Sequence, residues 1–148
     1  MEKLTAIIPT KNEETNIISA IKSVDFANEI MIIDSYSTDK TVELATPLVN
    51  VILQRKYKNS ADQKNWAIPK AKHKWIIILD ADERITPKLK EEIIETINSN
   101  TTYSGFWIKR QNYFMHKKVE FSGWRHDKVI RLFKKDECKY ENTSTNKE

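Results

Sequence analysis

Short aliphatic runs alternate with helix-like segments through the first hundred residues of the chain. Polar residues follow each run, and the runs lie at residues 4–8, 29–34, 49–53 and 75–79. The intervening segments carry apolar residues at helical spacing, beginning with Ile17, Ile18, Ile21 and Val24. Strands that alternate with helices form a parallel sheet covered by helices on both faces. The sequence therefore predicts an α/β fold, a Rossmann-like three-layer domain with a mostly parallel central sheet.

Capping and turn chemistry predicts where several elements begin and end. The first strand is expected to stop at Pro9, and Asn12 is expected to cap the helix that follows. Ser60 and Gln63 stand three residues apart, which is typical of a capping box at the start of the third helix. Thr86 is expected to cap the fourth helix.

The pattern changes after Gly105, where strands are expected without long helices between them. A chain of 148 residues suits one domain with one core. We expect this domain to occupy residues 1–135 and residues 136–148 to form a polar tail without a defined element.

Composition excludes several classes of protein and site. Only two glycines occur, Gly105 and Gly123, whereas a P-loop or a G-x-G-x-x-G turn needs several glycines close together. No apolar run approaches the roughly 20 residues that span a bilayer, and the first ten residues are not expected to form a signal peptide. Cys138 is the single cysteine, so no intrachain disulfide can form. These features predict a cytoplasmic location.

Basic residues concentrate between residues 109 and 135. The whole chain carries 25 Lys and Arg against 21 Asp and Glu, but within this stretch only Glu120 and Asp127 oppose the positive charge. Such a segment could face anionic membrane lipid, a phosphorylated acceptor or nucleic acid. A solvated strand surface with lysines at its edges is an equally good interpretation.

Polar residues also collect where the predicted strands end. In open α/β sheets, ligands bind outside the carboxyl ends of the strands. The first strand delivers Pro9, Thr10, Asn12 and Glu13, the second delivers Asp34 and Ser35, and the fourth delivers Asp80, Asp82 and Glu83. Because these ends meet at one edge of a parallel sheet, the sequence predicts a ligand site there.

Asp80 and Asp82 are candidate metal ligands. If the chain is still extended at this point, both side chains lie on one face and repel each other unless a cation is bound. Oxygen ligands of this kind suit Mg²⁺ or Mn²⁺, which in turn would hold a diphosphate. A D-x-D pattern alone is weak evidence, since most acidic loops are merely solvated. Its position at the end of a buried strand, near two other polar strand ends, makes it strong evidence here.

Asp34 and Lys64 each have two interpretations. Asp34 could accept a hydrogen bond from a base or a ribose, or it could bond the backbone of the turn that follows it. We favour the role in ligand binding. Lys64 could reach a phosphate or a ribose, although a solvated helix lysine is at least as good an interpretation.

Four segments, in this order, resemble the family 2 glycosyltransferases with the GT-A fold: AIIPTKNEETNI, IIDSYSTDKTVELA, QKNWAI and WIIILDADERI. A fifth, FSGWRHDKVIRLFKK, resembles the bacterial branch that adds sugars to the lipopolysaccharide core or related glycans. The resemblance covers residues 4–135, with a donor half over about 1–100 and the start of an acceptor half over about 101–135. Members of the family usually continue well beyond the RLF segment, so the acceptor half is expected to be short.

The resemblance implies transfer of a sugar, with inversion, from a nucleoside diphosphate donor to a glycan or lipid-linked acceptor. A UDP-sugar is the favoured donor. Its base would lie against Pro9, Thr10 and Glu13, and Asp34 would read the edge of the base. Asp80 would lie near the ribose or the metal, and Asp82 would be the main ligand of a divalent cation, Mn²⁺ or Mg²⁺.

Asp127 would be the general base of an inverting reaction, by its place in GWRHDKVIRLF. We also expect a cytoplasmic protein with peripheral contact at the inner face of an anionic membrane, and no nucleic acid partner. The alternative is a truncated nucleotide-sugar-binding domain without turnover. A different metal-dependent phosphoryl-transfer domain is disfavoured because no nucleophile motif or glycine loop is present.

Overall fold

The computed structural model describes residues 1–109, 115–119, 129–138 and 140. Its centre is a seven-stranded sheet in the order β3-β2-β1-β4-β7-β5-β6. The strands are β1 Leu4–Thr10, β2 Glu29–Asp34, β3 Val51–Gln54, β4 Trp75–Ile78, β5 Gly105–Lys109, β6 Met115–Val119 and β7 Val129–Lys134. The helices are α1 Ile17–Ser23, α2 Thr41–Ala45, α3 Ser60–Ala67 and α4 Pro87–Ile97. Short 3₁₀ turns at Thr46–Leu48 and Ile68–Lys70 follow α2 and α3.

The first four strands are parallel, as the alternation of strands and helices predicts. β1 lies between β2 and β4, and β3 extends the parallel part beyond β2. β7, β5 and β6 then continue the sheet in antiparallel fashion. The carboxyl ends of β1 to β4 therefore lie at one edge of the sheet.

Helices cover both faces of the sheet, which confirms the three-layer prediction. Successive residues of β1 contribute to different cores: Ala6 and Ile8 pack on one face and Ile7 on the other. This period of two is expected of a strand that is buried on both sides. The first core receives side chains from α1, α2 and α4, and the second from α3.

Two of the predicted helix caps are wrong. Asn12 does not cap α1, which begins at Ile17 after Asn16. Asn12 adopts φ 54°, and its side chain bonds the loop after β2 instead. α3 is capped by Asn59, whose side chain accepts a hydrogen bond from the Asp62 amide at 2.8 Å, so Ser60 and Gln63 form no capping box. Thr86 caps α4 as predicted.

β1 continues through Pro9 to Thr10, although the proline was expected to end it. The carbonyl of Ile7 bonds the amide of Leu79, on the side of β4. Pro9 lies two residues later and faces the same side, where β4 has already ended at Ile78. The missing N–H of the proline therefore costs no ladder hydrogen bond.

The predicted polar tail is wrong in part, because Cys138 and Tyr140 are buried in the second core. We call residues 135–138 and 140 the return segment, since they follow β7 back beneath α3. Burial, followed by the charge of Glu137, raises the pKa of the Cys138 thiol to about 12, with Lys134 opposing the shift. Within the described ranges, no helix is long and apolar enough to cross a membrane.

Candidate functional site

A cleft lies outside the carboxyl ends of the parallel strands. Its volume is about 300 Å³, and it is lined by Pro9, Thr10, Lys11, Ser35, Tyr57, Ser60, Gln63, Lys64 and Asp80. We call it the strand-end cleft. Residues from β1, from the loops after β2, β3 and β4, and from α3 all reach it, as the rule for open α/β sheets predicts.

A second cavity opens beside the cleft and shares part of its wall. It measures about 460 Å³ and is lined by Lys11, Ser35, Tyr36, Lys56 and Tyr57. We call it the tyrosine pocket. Tyr36 and Tyr57 are 59% and 54% exposed, so two aromatic rings are available to a ligand.

Tyr36 is held in an unusual backbone conformation at this pocket. Its φ is 53°, a region that costs energy for any residue other than glycine. The Lys11 ammonium donates to the carbonyls of Ser35 and Tyr36, both at 3.0 Å. The Gln54 side chain accepts from the Tyr36 amide at 2.9 Å. These contacts stabilise the conformation that presents the Tyr36 ring.

Only some of the predicted site residues line the strand-end cleft. Pro9, Thr10, Lys64 and Asp80 do so. The others that the structure describes lie behind or beside it, and they are Asn12, Glu13, Asp34 and Asp82. Asp127 lies outside the described residues.

Asp34 lies beneath the cleft with an exposed fraction of 0%. Its carboxylate accepts hydrogen bonds from the Thr10 hydroxyl at 2.7 Å, the Ser37 amide at 2.8 Å and the Ser37 hydroxyl at 2.6 Å. The interpretation as a turn residue therefore describes this conformation. Asp34 fixes the position of Thr10, which does line the cleft.

Asn12 and its neighbours join the loop after β1 to the loop after β2. The Asn12 side chain accepts from the Thr38 amide at 2.8 Å, and the Asn12 amide donates to the Ser37 hydroxyl at 2.8 Å. The Glu13 amide donates to the Thr41 hydroxyl at 2.8 Å. We call these contacts between residues 12–14 and 37–41 the loop latch.

Asp39 is the charged centre of the loop latch. It accepts from the Thr41 hydroxyl at 2.5 Å, the Thr41 amide at 2.9 Å and the Glu14 amide at 3.2 Å. Desolvation alone would raise the pKa of Asp39, but the hydrogen bonds from Thr41 and Glu14 outweigh it. The net result is a pKa below the ordinary value of 3.8.

Asp80 and Asp82 lie on a turn, and the expected extended geometry is wrong. The Glu83 amide donates to the Asp80 carbonyl at 2.9 Å, and the Glu83 carboxylate accepts from the Asp80 amide at 2.6 Å. Asp80 is half-buried at the cleft, whereas Asp82 is exposed. The two carboxylates therefore lie at the first and third residues of a turn, with Ala81 between them.

Arg84 braces this turn from below. Its guanidinium donates to the carbonyls of Ala81 at 2.6 Å and Glu83 at 2.7 Å, and to the Asn16 side chain at 3.1 Å. Asn16 in turn donates to the Glu13 carboxylate at 3.1 Å. Glu13 thus contributes to the shape of the acidic turn and not to the wall of the cleft.

The donor set fits a divalent cation that a ligand helps to hold. Among the described residues, no group of three or more His, Cys, Asp or Glu side chains could hold a metal alone. Mg²⁺ and Mn²⁺ commonly use one or two carboxylates and complete their coordination with water and phosphate oxygens. Asp80 and Asp82 could supply those carboxylates.

Lys64 is buried, so the interpretation as a solvated lysine is wrong. Its exposed fraction is 2%, and its ammonium lies 4.9 Å from the centre of the Tyr140 ring. Lys11 is a second cation at the cleft wall. The cleft therefore carries two cations beside the single carboxylate of Asp80, which favours an anionic ligand.

Sequence reasoning missed four residues of the cleft wall, namely Lys11, Tyr57, Ser60 and Gln63, whereas Ser35 lies at the strand end where it was expected. Gln63 is buried and donates to the Ser35 hydroxyl at 2.9 Å, which fixes that side chain at the cleft. The rule for the ends of parallel strands could have found Tyr57 and Ser60, because both follow the third parallel strand.

Comparison with known proteins identifies the family. The model of "Glycosyl transferase family 2" matches residues 5–146. The chain belongs to glycosyl transferase family 2. An uncharacterized glycosyltransferase of Rickettsia felis is 33% identical over 150 residues, covering 97% of this chain and 52% of that protein. The lipopolysaccharide core biosynthesis glycosyltransferase LpsC of Rhizobium meliloti is 27% identical over 143 residues, covering 93% of this chain and 53% of that protein.

Solved structures of similar fold support the α/β architecture of this family 2 chain. The chain has the GT-A fold. The mannosyltransferase PcManGT of Pyrobaculum calidifontis, in complex with GDP-Man and Mn²⁺, has a TM-score of 0.66 at 18% identity; the match covers 90% of this chain and 44% of that one. S. aureus TarS 1-349, in complex with UDP-GlcNAc, has a TM-score of 0.60 at 23% identity, covering 72% and 34%. The chain spans about half the length of the curated relatives it matches.

Proposed function

We propose that the strand-end cleft binds a nucleoside diphosphate sugar, and that the sugar passes with inversion to a glycan or lipid-linked acceptor. Synthesis of cell-envelope polysaccharide or of the lipopolysaccharide core is the proposed setting. The observation that carries the proposal is the combination of Lys11, Lys64 and Asp80 in one cleft at the ends of parallel strands. Membership of family 2 and the similarity to LpsC support it.

The diphosphate is assigned to the end of the cleft at Asp80 and Lys64. A cation bound by Asp80 and Asp82, Mn²⁺ or Mg²⁺, would supply positive charge to the departing diphosphate. Lys64 would add a protein charge on the same phosphates. PcManGT and TarS, whose folds are similar, bind nucleotide sugars in their crystal structures, and PcManGT also holds Mn²⁺.

The base is assigned to the tyrosine pocket, which continues from the cleft at Lys11, Ser35 and Tyr57. An exposed aromatic ring stacks on a planar base without regard to its hydrogen-bonding edge. This assignment revises the expectation that the base lies against Pro9, Thr10 and Glu13 and is read by Asp34, since none of these four lines the tyrosine pocket. Glu13 and Asp34 would act through the loops that they hold. Uracil remains the favoured base.

The acceptor side of the proposal rests on the sequence. Asp127 is proposed as the general base that deprotonates the acceptor hydroxyl. The basic stretch between residues 109 and 135 would face the anionic inner surface of the cell membrane, where lipid-linked acceptors are presented. Binding of the donor without transfer is the second candidate, because every residue of the cleft wall comes from residues 9–80.

A ligand screen tests the proposed donor. The melting temperature of the chain is measured with UDP, GDP, UDP-sugars and GDP-sugars, each with and without Mn²⁺. A ligand at 100 times its dissociation constant adds about 2.7 kcal/mol to the free energy of unfolding, which a melting curve resolves easily. We expect a nucleoside diphosphate to stabilise the chain more strongly when Mn²⁺ is present. Failure of every nucleotide to raise the melting temperature would contradict the proposal.

A further inference from the structure

Two cations of the second core share one aromatic ring beneath the strand-end cleft. The Lys64 ammonium lies 4.9 Å from the centre of the Tyr140 ring, and the Arg131 guanidinium carbon lies 5.7 Å from it. Tyr140 is 1% exposed and Arg131 is 2% exposed. Lys64 is the member of this group that also lines the cleft.

The sheet brings Arg131 to this position. β7 runs antiparallel to β4, and Arg131 is paired with Ile78, two residues before Asp80. Opposed residues of an antiparallel pair point to the same face, and Ile78 packs in the second core together with α3. Arg131 therefore lies on the face that carries Lys64.

Tyr140 is fixed by its main chain as well as by its ring. The Asn65 side chain donates to the Tyr140 carbonyl at 2.7 Å and accepts from the Tyr140 amide at 2.8 Å. Asn65 directly follows Lys64 in α3. The return segment is anchored again where the Lys135 ammonium donates to the Ala71 carbonyl at 2.9 Å.

We propose that Tyr140 is a positioning residue for Lys64, and that its ring holds the Lys64 ammonium at the floor of the cleft where the donor diphosphate binds. The inference rests on the proposed function. The face of an aromatic ring attracts cations, and the attraction is larger where water is excluded. Because Arg131 contacts the same ring, the group also concentrates positive charge beneath the phosphates.

A simple packing role for Tyr140 makes a different prediction. Loss of a core side chain destabilises the whole fold and therefore lowers the affinity for every ligand that the fold binds. Loss of a residue that positions Lys64 weakens the binding of phosphates and leaves the base and ribose contacts intact. Binding of UDP is therefore compared with binding of uridine on the same variants.

The experiment measures both affinities by calorimetry with Mn²⁺ present. We expect Tyr140→Leu to weaken UDP binding about tenfold and uridine binding hardly at all. Tyr140→Phe keeps the ring and should bind UDP like the unmutated chain. In a Lys64→Met background, Tyr140→Leu should cause no further loss of UDP affinity, since its effect passes through Lys64.

Tyr103→Leu is the matched control, because Tyr103 is a half-buried aromatic in the first core, edge-on to Phe106 with ring centres 6.3 Å apart. It should leave the ratio of UDP to uridine affinity unchanged. If Tyr140→Leu does not fold, Asn65→Ala is tested in its place, alone and in the Lys64→Met background. The Asn65→Ala change releases the main chain of Tyr140 without removing Lys64 or Arg131.

Three results would overturn the inference: an equal loss of UDP and uridine, a full additive loss in the Lys64→Met background, or unchanged UDP affinity in both Tyr140→Leu and Asn65→Ala. If the unmutated chain binds neither UDP nor GDP, the proposed function fails, and the inference fails with it. If the unmutated chain binds UDP or GDP and one of the three results is found, only the role of Tyr140 is rejected, and the proposed function stands.

Discussion

Three aspartates at the strand ends have different surroundings, and the surroundings assign their roles. Asp34 is fully buried and accepts three hydrogen bonds, so it is part of the structure of the loop. Asp80 is half-buried at the cleft, and Asp82 is exposed on the same turn. Only the last two are placed where a cation could reach them from solvent.

Replacing Asp80 or Asp82 by Asn should remove the metal-dependent part of UDP binding. Each change removes one anionic oxygen ligand from a site that prefers hard oxygen donors. We expect the gain in UDP affinity caused by Mn²⁺ to fall at least about tenfold in each variant, with an unchanged melting temperature. Calorimetry with and without Mn²⁺ measures this gain. Glu91→Gln, which changes an exposed acid on α4, is the control.

An equal gain from Mn²⁺ in the Asp82→Asn variant and the unmutated chain would remove Asp82 from the metal site. Loss of UDP binding in the absence of metal would show instead that the turn itself had changed. Asp80→Asn retains an amide that can still accept hydrogen bonds, so a rearranged turn is not expected.

At the scale of single residues, the sequence indicated which residues reach the strand ends but not how they are oriented. The acidic turn escaped prediction because it is closed by the side chain of Glu83 and braced by Arg84. Lys64 lies beside the Tyr140 ring, and the contact between neighbouring Asn65 and Tyr140 spans 75 residues of sequence. No local pattern contains that information.

At the scale of elements, the loop latch makes the loops after β1 and β2 one unit. These two loops carry Lys11 and Ser35 to the cleft, beside Thr10 at the end of β1. Hydrogen bonds between backbone amides and side chains hold them at fixed separation, so the cleft wall on this side is formed before a ligand binds. Such preorganisation reduces the entropy lost on binding.

The latch should weaken in acid, because Asp39 must be ionised to accept its hydrogen bonds fully. A carboxylate whose pKa is lower in the folded chain stabilises the fold above its unfolded pKa, and the contribution is lost as pH falls through the folded value. We expect Asp39→Asn to melt below the unmutated chain at pH 7. The gap should close below about pH 3.8, the ordinary pKa of the group.

Melting curves between pH 7 and pH 3 check this expectation. Glu43→Gln changes an exposed acid on α2, close by in sequence, and controls for the loss of one negative charge. A gap between Asp39→Asn and the unmutated chain that stays constant across the range would contradict the ionic role of Asp39.

Element types were predictable and several element ends were not. The aliphatic runs at β1, β2 and β4 are fully apolar or nearly so, and this pattern fixes a buried strand without knowledge of its neighbours. Asn12 looked like a cap because its residue type suits one. Its positive φ and its partners in the next loop depend on how two separate βα units meet, which the sequence of either unit does not show.

At the scale of the whole molecule, a late part of the chain packs beneath the strand-end cleft. The cleft wall comes from residues 9–80, yet the ring beneath Lys64 comes from the return segment. β7 therefore does more than extend the sheet, because it leads the chain back to α3. The boundary expected at residue 135 cuts through this arrangement.

Under the proposed function, the acceptor side decides whether the chain transfers a sugar or only binds the donor. Asp127 is one of two acids in the basic stretch between residues 109 and 135, and Arg125 and Lys128 stand close to it in sequence. Positive neighbours favour the ionised form that a general base needs. An exposed ion pair with one of them is the other interpretation, and such a pair contributes at most about 1 kcal/mol to stability.

Asp127→Asn distinguishes these two roles, because they predict different effects on turnover, donor affinity and melting temperature. A general base should lose about 10²–10⁴-fold in turnover, while donor affinity and melting temperature stay the same. A residue that only forms an ion pair should shift the melting temperature slightly and leave turnover alone. Transfer to a glycan acceptor and binding of the donor are measured on the same preparation, with Glu120→Gln as the control for the other acid of the stretch. Near-normal transfer by Asp127→Asn would reject Asp127 as the base, whereas donor binding without any transfer by the unmutated chain would favour a donor-binding role.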